Sequence, residues 1–326
     1  MGFHFPSIVA LLYLGVVGSC HASLPAELYW KSVFPNTPIP KGLQDLLRPG
    51  VNKNNFVKLK DAGLNVEYPY AKSRSTDDFL NNYRHAYSVD LRIMAAKSRS
   101  TDLEASKSGY ENASIFFFEN DIHPGSLMKL PGFTKTENQA TFLPRAVADS
   151  LPFSSNKFSD ILKLFSMDPK STGAKVMKET IKLCEIEANK GEEKFCATSL
   201  ESLIDQSVSR LGKKIQVLLD EVEKETEIED FTIGNGVRNL GEKQIACHKM
   251  KYPYAVFLCH SIDKTAVYTV PLVGSDATKV KATAVCHKDT STWNPKYLAF
   301  QVLKVKPGSV PICHFLAKET VVWVPN

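Results

Sequence analysis

The stretch Thr278-Lys279-Val280-Lys281-Ala282-Thr283-Ala284-Val285-Cys286-His287 decides the fold. Neighbours on a β-strand point to opposite faces of a sheet, so a strand here puts Val280, Ala282, Ala284 and Cys286 on one side. Lys279, Lys281, Thr283 and His287 fall on the other. Cysteine therefore faces an apolar layer in which a disulfide can form, and histidine faces the polar side. Lysines on that side would repel a cation, so they are expected farther along the strand in solvent. A site at His287 would then lie at the strand end, near Asp289.

The dipeptide recurs. Cys247-His248, Cys259-His260, Cys286-His287 and Cys313-His314 are separated by 10, 25 and 25 residues, and eight residues separate His314 from Trp323. Runs rich in β-branched and aromatic residues surround them, at Ala266 to Val273, Leu298 to Lys306 and Val310 to Phe315. Pro307-Gly308 reads as a hairpin joining the last two. Upstream, between 150 and 220, the period is helical: Met177, Ile181 and Cys184 share one face, and Leu200, Leu203, Ile204, Val208 and Leu211 share another. Thr198 with Glu201 fits a capping box, and Gly212 fits a C-terminal stop. The predicted class is α+β, with a helical first half followed by an antiparallel β-rich half that carries the Cys-His pairs and is stabilised by disulfides.

With 326 residues, 43% hydrophobic and 23% charged, the chain is too apolar to be disordered and long enough to bury a full core. A net charge of +5 is spread too thinly for a nucleic-acid partner. Residues 1–22 contain no Lys, Arg, Asp or Glu, and the apolar run from Ile8 to Gly18 precedes Cys20-His21-Ala22, a small-residue cleavage pattern. This reads as a signal peptide, too short to span a bilayer. No other long apolar run exists, so no membrane span is expected.

Cleavage after Ala22 removes Cys20 and leaves Cys184, Cys196, Cys247, Cys259, Cys286 and Cys313, an even set that implies disulfides in an oxidising compartment. Cys184 lies near the end of one predicted helix and Cys196 just before the next, which favours a Cys184–Cys196 bridge. The other four can pair in three ways, and spacing does not choose among them. Asn112-Ala113-Ser114 is a glycosylation sequon at Asn112.

Residues 23–111 read as an extended leader. Pro35, Pro38, Pro40 and Pro49 permit at most one short helix before Gly50, and KSRSTD at 72–77 recurs at 97–102. Composition turns globular at Ile115-Phe116-Phe117-Phe118, where Asp121-Ile122-His123-Pro124-Gly125 reads as a strand closed by a turn. A domain over 115–326 follows.

Four Cys-His pairs with this spacing and a terminal Trp resemble the plant BURP-domain family. Tyr29-Trp30 with Phe34-Pro35-Asn36-Thr37-Pro38, FFFENDIHPG at 116–125, CHKDTSTWNP at 286–295, KPGSVPICHF at 306–315 and VVWVP at 321–325 strengthen the resemblance. Within the family, the short leader is similar to the seed-expressed, embryonic abundant group.

His248, His260, His287 and His314 are candidate metal ligands. Cysteines locked in disulfides cannot act as thiolates, and imidazole-only ligation in an oxidising compartment favours Cu(II). Asp289 is a candidate to orient His287, or a turn-forming residue. His123 is a fifth candidate ligand or a turn residue, and Trp293 and Trp323 read as aromatic packing.

The resemblance implies secretion, with residence in the cell wall or the vacuole. It also implies a copper-dependent peptide cyclase that crosslinks an aromatic side chain carried in its own N-terminal region. Against the cyclase, Trp30, Trp293 and Trp323 all lie in family strings, while Tyr68 and Tyr70 precede the first KSRSTD and Arg92-Ile93-Met94 precedes the second. The favoured reading is therefore a non-catalytic seed, stress or cell-wall accessory protein with a copper-binding histidine cluster. Its expected partners are cell-wall or storage-vacuole components, or its own leader peptide. No GxSxG, HExxH or phosphate-binding loop is present.

Overall fold

A computed structural model describes residues 26–47, the backbone of 58–59 and 64–65, 116–130, 140–227 and 230–326. The signal peptide, the KSRSTD repeat and Asn112 lie outside the described residues. The helices are α1 (Ala26–Val33), α2 (Lys41–Asp45), α3 (Arg145–Ser150), α4 (Phe158–Leu164), α5 (Thr172–Glu185), α6 (Leu200–Leu211) and α7 (Leu298–Leu303). The strands are β1 (Lys58–Leu59), β2 (Leu64–Asn65), β3 (Leu127–Lys129), β4 (Glu192–Ala197), β5 (Ile215–Leu218), β6 (Glu221–Val222) and β7 (Asp230–Ile233). They continue with β8 (Arg238–Asn239), β9 (Ile245–Met250), β10 (Val256–Ile262), β11 (Thr265–Gly274), β12 (Lys279–His287), β13 (Ile312–Phe315) and β14 (Val321–Pro325).

Two antiparallel sheets carry the four Cys-His pairs. The first has the order β4-β10-β9-β14-β5, and the second β13-β12-β11-β7-β3 with β6 on β12 and β8 on β11. Strand periodicity gives each sheet one cysteine face and one histidine face. In the first, Cys247 lies opposite Cys259, and their face packs with Phe257, Val321 and Trp323 against Trp30, Leu43 and Leu203 of the helices α1, α2 and α6. In the second, Cys286 lies opposite Cys313 in a core with Phe117, Met128, Phe231, Val270 and Ala284. The segment 117–129 links both edges of that sheet, since Phe117 bridges Cys313 while Leu127–Lys129 pairs with β7.

The two histidine faces meet each other. Leu218, Ala246, Val322 and Val324 of the first sheet form one cluster with Val267, Val285 and Leu316 of the second. Met250, Val256 and Leu258, farther along the first sheet, pack against Ile161, Met177 and Ile181 of α4 and α5. The expectation of a polar histidine side is corrected: what covers it is a second sheet, and all four rings are nearly inaccessible. Lys279 is exposed at the far end of β12, as the charge argument requires.

Local structure differs from expectation at four places. Ser199, not Thr198, caps α6, accepting from Ser202 N at 3.1 Å while Ser202 Oγ accepts from Ser199 N at 3.1 Å. Gly212 ends that helix at φ 85°, a conformation glycine adopts without penalty. Leu298–Leu303 is helical rather than a strand, because a six-residue apolar run carries no decisive period. Asn294 starts it with a turn in which Tyr297 N donates to Asn294 O at 2.9 Å, and left-handed Lys304 ends it. Residues 24–50 hold two short helices where at most one is expected. Their driving force is burial: Trp30, Phe34 and Leu43 enter the core, with Trp30 and Trp323 rings 6.1 Å apart. Asp121 to Gly125, expected as a strand closed by a turn, holds the end of a 3-10 helix over Glu119–Asp121 and then a turn, without a strand.

Candidate metal centre

Each sheet places two imidazoles side by side. On β9 and β10 the cysteines are directly opposed, so the following residues His248 and His260 are diagonal neighbours on the other face. Their Nε2 atoms are 3.2 Å apart. The same register on β12 and β13 brings His287 Nε2 to 3.3 Å from His314 Nε2. The disulfides are Cys247–Cys259 and Cys286–Cys313, with Cys184–Cys196 as the third. Each cross-strand bridge therefore locks the register of one imidazole pair from behind.

The outer nitrogens repeat one scheme. Thr320 Oγ1 is 3.3 Å from His248 Nδ1, and Thr265 Oγ1 is 2.9 Å from His287 Nδ1. Glu192 Oε1 is 3.2 Å from His260 Nδ1, and Phe315 O is 3.1 Å from His314 Nδ1. A carboxylate and a carbonyl only accept, so His260 and His314 donate from Nδ1 and present a bare Nε2 to the partner ring. His248 and His287 then donate from Nε2 and accept the threonine hydroxyls at Nδ1. These partners assign one tautomer to each neutral ring.

The donor set fits a borderline divalent ion. His248 with His260, and His287 with His314, would each hold such an ion through their neighbouring Nε2 atoms. To act as ligands through Nε2, His248 and His287 would carry their proton on Nδ1, facing the threonine oxygens. Among the described residues no three His, Cys, Asp or Glu side chains converge on one point.

The pairs differ in charge and wall. Glu192 is 4% exposed at its side chain. Burial raises its carboxyl, but bonds from His260 and Asn189 and the positive field of Lys194 outweigh burial and hold it below the usual carboxylate range. A buried anion thus backs the first pair. At the second pair the outer nitrogens meet a hydroxyl and a backbone carbonyl, and Trp293 meets His287 edge-on at 4.9 Å while Phe116 approaches His314 at 6.4 Å.

Asp289 is placed elsewhere. It pairs with Lys264 at 2.8 Å and accepts from Ser291 N and Oγ, so Thr265 stands at His287 where Asp289 was a candidate. The Lys264 and Ser291 bonds hold its carboxyl far below the ordinary range. His123 is exposed in a turn, with Nδ1 3.1 Å from Pro124 O and Nε2 3.1 Å from Ser126 Oγ. Sequence reasoning misses Glu192, Thr265 and Thr320. Thr265 carries a signal, because the β11–β12 hairpin register sets it opposite His287. Glu192, inside Gly-Glu-Glu-Lys, has none.

A BURP-domain family model matches residues 115–325. BURP domain-containing protein 5 of Oryza sativa subsp. japonica is 39% identical over 315 residues, covering 94% of this chain and 89% of that protein. BURP domain protein RD22 of Arabidopsis thaliana is 49% identical over 219 residues, covering 65% of this chain and 56% of that protein. Embryonic abundant protein VF30.1 of Vicia faba is 30% identical over 331 residues, covering 100% of this chain and 97% of that protein. The chain, with its paired imidazoles behind cross-strand disulfides, belongs to the plant BURP-domain family.

Proposed function

We propose that this protein is a secreted accessory protein that holds copper(II) on its paired imidazoles and is not itself a catalyst. The observation that carries this reading is the repeated Nε2–Nε2 approach at 3.2 and 3.3 Å, with all four outer nitrogens engaged. Two hydrogen-bonded neutral rings are the shape of two adjacent ligands, and the outer partners set their orientation. Six cysteines held as disulfides leave imidazole as the soft-to-borderline donor, which suits Cu(II) in an oxidising compartment. The apolar residues 8–18 support a secretory route, to the cell wall or the vacuole. Among the described residues no helix is long and apolar enough to cross a membrane.

Copper(II) titration with electron paramagnetic resonance tests this. One ion per pair is expected, each lost separately in His248→Ala/His260→Ala and His287→Ala/His314→Ala. Unchanged binding in both double variants would refute it.

A second reading, oxidative crosslinking of an aromatic side chain in 51–111, is favoured by one observation. Phe116, where the described chain resumes after that segment, packs against His314. Bound copper would supply the oxidising power, while the residues orient the peptide beside the ring pair. Peptide mass mapping after exposure to Cu(II) and oxygen separates the readings: a loss of hydrogen pairs within 51–111 supports the cyclase.

A further inference from the structure

Three tryptophans occupy two kinds of place. Trp30 and Trp323 are fully buried, on the cysteine side of the first sheet and so across that sheet from His248 and His260. Trp293 follows β12, is half-buried, and lies against the rim of the second pair. Its ring meets His287 at 4.9 Å in a T-shaped contact and packs on Tyr297 at 5.5 Å and Phe300 at 6.2 Å. His287 and His314 are exposed to only 3% and 1%. Trp293 therefore joins a buried imidazole to solvent.

We propose that Trp293 is a sacrificial oxidation site that protects the His287–His314 pair. This rests on the metal reading above. Indole gives up electrons more readily than imidazole or a disulfide, and reactive oxygen species generated at a bound metal are consumed within a few ångströms. The co-reactant is hydrogen peroxide. One peroxide oxygen adds to the C2–C3 bond of the Trp293 indole, which loses two electrons, and the other oxygen leaves as water with both peroxide hydrogens. The side chain gains one oxygen and the protein loses no proton. A redox-active ion on the neighbouring imidazoles promotes the reaction; a redox-inert ion in the same place does not. Because the indole intercepts the oxidant, His287, His314 and the Cys286–Cys313 bridge behind them are spared.

The test loads the full-length protein with Cu(II) or Zn(II), confirms occupancy by equilibrium titration, adds hydrogen peroxide and maps peptides by mass. With Cu(II), one oxygen is expected on Trp293 and none on Trp30 or Trp323. With Zn(II), Trp293 should stay unmodified despite equal exposure. In Trp293→Phe the added oxygen should move to His287 or His314. Equal oxidation of Trp293 in the Zn(II)-loaded or metal-free protein would overturn the proposal, since exposure alone would then decide. An intact Trp293 beside demonstrably bound copper would overturn it and leave the metal reading standing. Failure of copper to bind would end both.

Discussion

Glu192 Oε1 and His260 Nδ1 are 3.2 Å apart, on neighbouring strands yet 68 residues apart in the chain. The carboxylate also accepts from Asn189 N at 3.0 Å and Asn189 Nδ2 at 2.7 Å, so it is held before any ligand arrives. Its ionised state sets the His260 tautomer and supplies the negative charge behind the first pair.

Glu192→Gln should therefore weaken divalent-ion binding at that pair about 10- to 100-fold while the second pair is unchanged. Calorimetric titration in a His287→Ala/His314→Ala background isolates the effect. Thr320→Val, which removes the acceptor for the relocated His248 proton, should weaken the same site in the same direction. Equal affinity in both variants would show that the outer partners do not tune the rings.

The three disulfides should open in a fixed order. The four cysteines of the Cys-His dipeptides are fully buried, whereas Cys184 and Cys196 are only partly buried, at the end of α5 and on the edge strand β4. Exposed bridges exchange faster because the attacking thiolate must reach the sulfur. Native-state treatment with mild dithiol followed by thiol labelling should mark Cys184 and Cys196 first. Removing that bridge with Cys184→Ser/Cys196→Ser should cost about 3 kcal/mol, the value for closing a loop of this size. Urea denaturation measures it.

Much of this was legible in the chain, and the exceptions have physical causes. Alternation along Lys279 to His287 separates cysteine from histidine correctly, because strand parity is local. It does not say whether a polar-looking face meets water or another sheet, and here Val285 and Thr283 lie on the buried histidine side. The Cys184–Cys196 pairing is readable from spacing, although β4 rather than a simple helical hairpin carries Cys196. Glu192 and Thr320 reach their rings only through the sheet order β4-β10-β9-β14, which is a long-range property. Leu298 to Leu303 fails for the opposite reason: its local signal is too short to choose a period.

Stability should fall with rising pH through the Asp220 carboxyl. Burial pushes Asp220 up to about 7, only partly countered by bonds from Thr283 and the field of Lys318; Thr283 N donates to its Oδ1 at 2.9 Å. The folded state thus prefers the protonated acid more than the unfolded chain does, whose ordinary value is 3.8. This contribution is fully present below about pH 4 and is lost as pH rises through about 7. Asp220→Asn keeps an oxygen for Thr283 and cannot ionise. Relative to it, the wild type should lose on the order of 2–4 kcal/mol between pH 4 and 8. Denaturation midpoints of the two proteins across that range decide it, and parallel curves would show that Asp220 ionises normally.

The leader segment should be needed for the stability of the domain that follows it. Trp30 is fully buried against Trp323 and Phe34, and its Nε1 donates to Thr37 O at 2.8 Å. Tyr29 donates to Asp205 on α6, which also binds Arg145 at 2.7 Å, and the Arg145 guanidinium lies 4.9 Å from the centre of the Tyr29 ring. These contacts tie α1 to α6 and cover the apolar face behind Cys247–Cys259. Trp30→Ala should cost about 3–5 kcal/mol, the range for emptying a large aromatic site in a core. Tyr29→Phe should cost less, about 1 kcal/mol, because Arg145 still satisfies Asp205. A protein cut to residues 115–326 should bind hydrophobic dye through the exposed Trp323 face, and residues 23–47 supplied as a peptide should suppress that signal. Unaltered stability in Trp30→Ala, measured by urea unfolding, would place the folding unit within 115–326 alone.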